Sequence, residues 1–134
     1  YRARFKPSAW RSEPHSILAV AAIAAETDAE AEKLASSADL NRLRRDRGQY
    51  LPLPSVEEAL AYPYSDGERM SVQRNRSRLF VGSPATVMRK LEPLIAESKP
   101  DELMVITAVF DHEARKRSYG LLADAFQLGK RAAA

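Results

Sequence analysis

Ser16-Ile17-Leu18-Ala19-Val20-Ala21-Ala22-Ile23-Ala24-Ala25 decides how the rest of the chain is read. Apolar residues fall on both alternating sides of this run, so neither face of a strand built from it would suit water. The pattern predicts a strand over 16–25 buried on both faces of a parallel sheet. A buried, alanine-rich helix is the alternative.

Working outward, Leu103-Met104-Val105-Ile106-Thr107-Ala108-Val109 predicts a second buried strand, and Leu79-Phe80-Val81 a short one. Between them lie helix-opening patterns. Thr27-Asp28-Ala29-Glu30 has capping-box spacing ahead of a stripe of Ala31, Leu34, Ala35 and Ala38, with Gly48 as the latest plausible stop. Pro52 and Pro54 predict a loop. Ser55-Val56-Glu57-Glu58 opens a short helix toward Tyr62, and Ser65-Asp66-Gly67-Glu68 opens a polar one through Arg76. Ser83 caps a helix with Pro84 at its first position, burying Val87, Leu91, Leu94 and Ile95. Pro93 is expected to bend or shorten that helix. Asp111 caps a last helix that turns Leu121, Leu122, Ala125 and Phe126 inward, and residues 130–134 are expected to fray.

Strands alternating with helices imply parallel βαβ units, so the fold class is α/β, read as one segment over 1–134. Only two strands are long enough to be central. Two parallel strands cannot close a barrel and leave both edges open, which predicts a two-fold dimer or pairing with a separate N-terminal fragment. Tyr1-Arg2-Ala3-Arg4-Phe5-Lys6 reads as the last turns of a helix stopped by Pro7. The chain therefore reads as beginning inside an element.

Composition narrows the chemistry. The 134 residues include 22 Ala and no Cys, and only 7% are aromatic. The missing Cys excludes a disulfide scaffold, a thiolate zinc site, an iron–sulfur cluster and a cysteine nucleophile. No apolar run approaches a membrane span and the N-terminus is polar and basic, so a cytoplasmic protein without a membrane partner is expected. A net charge of +3 does not demand an anionic partner. Arg42, Arg44, Arg45 and Arg47, echoed by Arg69, Arg74, Arg76 and Arg78, interleave with Asp39, Asp46, Asp66 and Glu68. Solvated helix faces and partner salt bridges explain them more simply than nucleic acid does, and no nucleic-acid partner is expected.

Few residues are placed for chemistry. His15 and His112 have no second His at helical spacing, so no metal is expected. Gly82-Ser83-Pro84 opens a helix whose free N–H groups and dipole can hold an anion, making Gly82 and Ser83 candidate cofactor-binding residues; an ordinary helix cap explains them more simply. His112 follows the carboxyl end of a buried strand and is the candidate catalytic residue, able to move a proton near neutrality. Asp111 and Glu113 beside it are explained by helix electrostatics alone.

Taken in order, Phe5-Lys6-Pro7-Ser8, Leu18-Ala19-Val20, Thr27-Asp28-Ala29-Glu30-Ala31, Val81-Gly82-Ser83-Pro84-Ala85-Thr86-Val87, Asp101-Glu102-Leu103-Met104-Val105, and Asp111-His112-Glu113-Ala114-Arg115-Lys116-Arg117-Ser118-Tyr119 continuing through Phe126 carry a resemblance. The chain resembles the C-terminal part of luciferase-like flavin monooxygenases. Gly120 departs from that pattern where a helix-forming Glu is expected, and Ala21 where a polar residue often interrupts the strand. The resemblance implies a partial TIM (β/α)8 barrel, with 16–25 as its seventh strand, 103–109 as its eighth and a helical insertion between them. It also implies oxygenation of a small organic substrate by reduced flavin and O₂, with FMN as cofactor of the intact parent, or hydride transfer with the deazaflavin F420 in its place. Most flavin contacts of the family lie in earlier strands, so the resemblance transfers no catalytic residue and implies a segment inactive alone. The other function class open to the chain is a non-catalytic α/β association module with arginine-rich helices.

Overall fold

The structure is a computed structural model that describes residues 1–130. The expected fraying of the C-terminus falls largely on 131–134, outside the described residues. The elements run β1 (Ile17–Ala24), α1 (Asp28–Asp46), α2 (Val56–Ala61), α3 (Asp66–Arg76), β2 (Leu79–Gly82), α4 (Pro84–Ser98), β3 (Glu102–Ile106) and α5 (His112–Ala125). The expected α/β class is what forms.

All three strands are parallel, in the order β2-β1-β3. This corrects the expectation of two central strands: β1 alone is central, and the outer edges of β2 and β3 stay unpaired among the described residues. The short β2 pairs with β1 from Ala21↔Leu79 to Ala24↔Gly82, while β3 pairs with it from Ile17↔Glu102 to Ala21↔Ile106. Each flank of β1 is thus covered over about half its length. The second strand is also shorter and wetter than its sequence suggests: it stops at Ile106, and its residues alternate between exposed and half-buried.

Local chemistry explains where the elements start and stop. Thr27, Ser55, Ser65, Ser83 and Asp111 each accept a backbone N–H from three residues on, as the spacing predicts. At Ser65 the reciprocal bond also forms, with the Ser65 N–H donating to Glu68 Oε2 at 2.6 Å. Gly48 follows α1 with a φ of +75°, the left-handed value that glycine accepts freely. Pro93 does not shorten α4, which runs on to Ser98. It sits on the exposed side, where the carbonyl it leaves without an amide partner can turn to water. At the N-terminus Arg2–Arg4 form a 3-10 turn, and Phe5 turns extended ahead of Pro7.

The core is built from small residues. Parallel register places Leu18, Val20, Ala22 and Ala24 on one face, where Val87 and Leu91 of α4 and Leu122 of α5 cover them. On the opposite face α1 covers only the C-terminal part, packing Ala31 and Ala35 against Ile23 and Val81. The N-terminal part of that face stays bare, with Ile17 at 52%, Met104 at 51% and Ile106 at 56% exposure. A third cluster of Leu40, Leu43 and Ala59, flanked by Tyr62 and Tyr64, ties α1 to α2.

At the other end of the strands, Asp101 joins β1 to β3. Its Oδ2 accepts from Arg2 Nη2 at 2.6 Å and from the Ser16 N–H at 2.7 Å. The Arg2 side chain, then the Ser16 amide, hold the Asp101 carboxyl at about 2, against an ordinary 3.8. The Ser65 hydroxyl and amide hold Glu68 at about 2 as well, against 4.5. A carboxylate with a depressed folded-state pKa adds stability above its unfolded value and loses it as pH falls through the folded one. Denaturant unfolding should therefore show stability declining from about pH 4.5 toward pH 2. The decline should be visibly shallower in the Asp101→Asn, Glu68→Gln double variant; an identical slope would contradict these assignments.

Candidate functional site

The carboxyl ends of the three parallel strands bring the sequence-selected residues to one end of the sheet. Ser83 follows β2, Asp28 opens the helix after β1, and Asp111 and His112 follow β3. Because β1 lies between the other two strands, Ser83 and His112 follow strands on opposite sides of it. The sheet does not bring them together as a pair.

The Gly82-Ser83-Pro84 corner already receives an anion from within the chain. The Ser83 N–H donates to Asp28 Oδ1 at 2.6 Å, and Thr86 Oγ1 donates to Asp28 Oδ2 at 3.1 Å. The Ser83 amide and hydroxyl, with Thr86, hold the Asp28 carboxyl below its ordinary value. Asp28 thus supplies the negative charge that the positive end of α4 favours, and it locks the start of α1 to the start of α4. Gly82 makes the close approach possible. Its φ is +151°, and a Cβ there would meet Thr86 Cγ2 at 2.5 Å, Thr86 Cβ at 2.8 Å and Asp28 Oδ1 at 2.9 Å. The sequence marked the glycine and the cap but not their partner, since Asp28 read as an ordinary first-turn acid.

His112 is exposed at the first position of α5. Arg115 Nη2 lies 2.8 Å from its Nδ1, and because a guanidinium only donates, Nδ1 accepts and the neutral ring keeps its proton on Nε2. The neighbouring carboxylates are committed elsewhere. Asp111 accepts from the Ala114 N–H at 2.7 Å, Glu113 pairs with Lys116 at 3.0 Å, and Glu26 pairs with Arg117. No acid–base couple forms around His112.

Three hydroxyls that sequence reasoning missed seal β1 where β3 ends. Thr107 Oγ1 donates to the Ala22 carbonyl at 2.8 Å, the Ala24 N–H donates to Ser118 Oγ at 2.9 Å, and the Thr107 N–H donates to the Tyr119 hydroxyl at 3.0 Å. These bonds divert Thr107 from the ladder, which is why the strand stops at Ile106. A lone polar residue inside the run 103–109 was the available signal.

Half of the eight clustered arginines are spent in ion pairs within the chain. Arg44 pairs with Glu58 at 2.6 Å, Arg47 with Glu68 at 2.6 Å, Arg42 with Asp46 at 2.9 Å, and Arg76 with Asp39 at 2.7 Å. Among the described residues, no group of three or more ligating side chains gathers as a metal would need, and no helix is long and apolar enough to cross a membrane.

Against known proteins, the chain is 44% identical over 126 residues to the uncharacterized protein YceB of Bacillus subtilis (strain 168), covering 94% of this chain and 38% of that protein. It is 34% identical over 124 residues to a protein of Escherichia coli (strain K12) named luciferase-like monooxygenase, covering 92% of this chain and 37% of that protein. Its fold resembles the crystal structure of apo-MsnO8 with a TM-score of 0.83 at 35% identity, over 96% of this chain and 39% of that one. No protein-family model matches. The chain thus spans well under half the length of the relatives it matches.

The two best-defined glycines should respond in opposite directions. Gly82→Ala should lower stability by about 2–3 kcal/mol through clash and strained φ. Gly120→Ala, inside α5 with nothing within 4 Å of the new methyl, should raise it by about 0.5–1 kcal/mol. Urea unfolding midpoints check both; a neutral Gly82→Ala would contradict the close packing at this corner.

Proposed function

We propose that this chain is the C-terminal portion of a luciferase-like flavin-dependent monooxygenase, supplying two βα units and a helical insertion to a TIM barrel. The observation that carries the reading is the half-covered sheet. Helices α4 and α5 blanket one face, as the outer ring of a barrel does, while Ile17, Met104 and Ile106 present bare apolar side chains on the other, as an unfilled barrel interior would. The likeness to the Escherichia coli luciferase-like monooxygenase over nearly the whole chain supports the same reading.

On this reading β1 is the seventh strand and β3 the eighth. The short β2 takes part of the flank that a sixth strand would use, which leaves Ile17–Val20 of β1 for that partner. The insertion α1–α3 then leaves β1 at the carboxyl ends of the strands, the end where barrel enzymes build their sites, and returns to the start of β2.

The intact parent would use FMN, which supplies the oxygen chemistry when bound, or F420, which supplies hydride transfer, with a small organic substrate. The residues of this chain do not make a flavin cradle. The one helix N-terminus suited to a phosphate faces the Asp28 carboxylate, which repels a second anion. Gly82 and Ser83 therefore serve as a joint between elements, and flavin contacts belong to the remainder of the barrel. His112 lies at the correct end of the sheet to approach a substrate, as a donor through Nε2. The alternative reading as an association module retains the bare sheet face, but half of the eight clustered arginines, Arg42, Arg44, Arg47 and Arg76, are paired within the chain.

Grafting tests the proposal. A chimera in which this chain replaces the matching segment of the Escherichia coli relative should fold, bind FMN at micromolar concentration or tighter by fluorescence quenching, and oxidise reduced flavin. The isolated chain should bind FMN weakly or not at all. A folded chimera that ignores flavin, or sub-micromolar binding by the isolated monomer, would overturn the reading.

A further inference from the structure

Away from the strand ends, α1, α2 and α3 enclose a cleft of about 460 Å³ lined in part by Asp39, Leu60, Tyr62, Tyr64, Arg69 and Arg76. Its volume lies in the range of small-molecule pockets, roughly 300–1,000 Å³. Its walls combine aromatic and aliphatic surface with two guanidinium groups in very different electrostatic positions.

Arg76 is neutralised. Its Nε lies 2.7 Å from Asp39 Oδ1 and its Nη2 lies 2.8 Å from Asp39 Oδ2, a bidentate pair, and Glu32 approaches at 3.1 Å. Asp39 balances the Arg76 charge, and Glu32 is the remaining carboxylate, turned to solvent at the edge of the cleft with 56% of its side chain exposed. Arg69 is not neutralised: among the described residues it joins no ion pair, and its guanidinium stands 5.9 Å from the centre of the Tyr64 ring. The tyrosines divide in the same way. The Tyr62 hydroxyl donates to Glu68 at 3.0 Å, whereas the Tyr64 hydroxyl has no protein partner among the described residues. Tyr62 and Tyr64 pack edge to face at 4.8 Å, fixing the Tyr64 ring in place. Leu60 lies exposed at the rim.

The cleft therefore offers one uncommitted cation, one uncommitted phenol donor and an apolar wall in one small space. We propose that it binds a small aromatic carboxylate, held by charge-assisted hydrogen bonds from Arg69, by the Tyr64 hydroxyl, and by contact of its ring with Leu60 and Tyr64. Arg69 supplies donors that match a carboxylate, and the Tyr64 phenol stays protonated because burial pushes its pKa up. The site is separate from the strand ends and stands whether or not the chain belongs to a flavin enzyme.

Titrating the ¹⁵N-labelled full chain with 2-naphthoate, against 2-naphthylmethanol as the neutral comparator, tests this by amide chemical shifts. Saturable shifts should centre on Leu60–Arg69, with the alcohol binding at least about tenfold more weakly. Arg69→Gln, at an exposed position that leaves folding intact, should weaken 2-naphthoate about tenfold, and Tyr64→Phe severalfold. Equal affinity for acid and alcohol, unchanged binding by Arg69→Gln, shifts confined to Ile17, Met104 and Ile106, or no saturation below about 10 mM would each overturn the proposal.

Discussion

Everything in this chain is arranged around β1, an apolar strand that cannot leave either face or either edge in water. Its helix-side face is satisfied by α4 and α5, its C-terminal flank by β2, and its N-terminal flank by β3. Where β3 ends, the hydroxyls of Thr107 and Ser118 take over the backbone groups of Ala22 and Ala24. The N-terminal part of the second face, and the β2-side edge along Ile17–Val20, remain uncovered among the described residues. Leaving large aliphatic side chains wet forgoes roughly 1.5–3 kcal/mol apiece, a heavy penalty for a domain whose whole stability is of order 10 kcal/mol.

The placement of charge follows from the same demand. Small residues such as Ala31 and Ala35 let α1 sit close to the sheet, and that closeness delivers Asp28 onto the start of α4. The anion-ready corner is consequently an internal joint. At the opposite end of the strands, Asp101 performs the equivalent task by binding Arg2 and Ser16. Two carboxylates, one at each end of β1, fix how helices and strands meet, so the electrostatics of this segment are directed mainly at its own assembly.

The elements with a local cause were legible in the sequence. Each cap expected at Thr27, Ser55, Ser65, Ser83 and Asp111 forms, since capping depends on residues three apart. What depends on distant partners was not legible. Nothing near Leu79 tells that so short a strand will pair beside β1, and nothing near Asp28 tells that its acceptors are needed 55 residues away at Ser83. The length of β3 was overread because Thr107 sits in an apolar run, while its hydroxyl is claimed by Ala22 across the sheet. Pro93 was read as a break, although its exposed position leaves α4 intact. Of the candidate site residues, all three fall at the strand ends, but the sheet order that separates His112 from Ser83 is a tertiary property.

On the proposed reading, the bare patch of Ile17, Met104 and Ile106 is covered by the rest of a barrel in the parent and by another copy when the chain is alone. Sedimentation velocity of residues 1–134 at micromolar concentration, repeated with Ile106→Lys, measures this directly. The account predicts a dimer or larger species that the lysine shifts toward monomer without loss of helical signal. A monodisperse, cooperatively folded monomer, indifferent to the lysine, would contradict it.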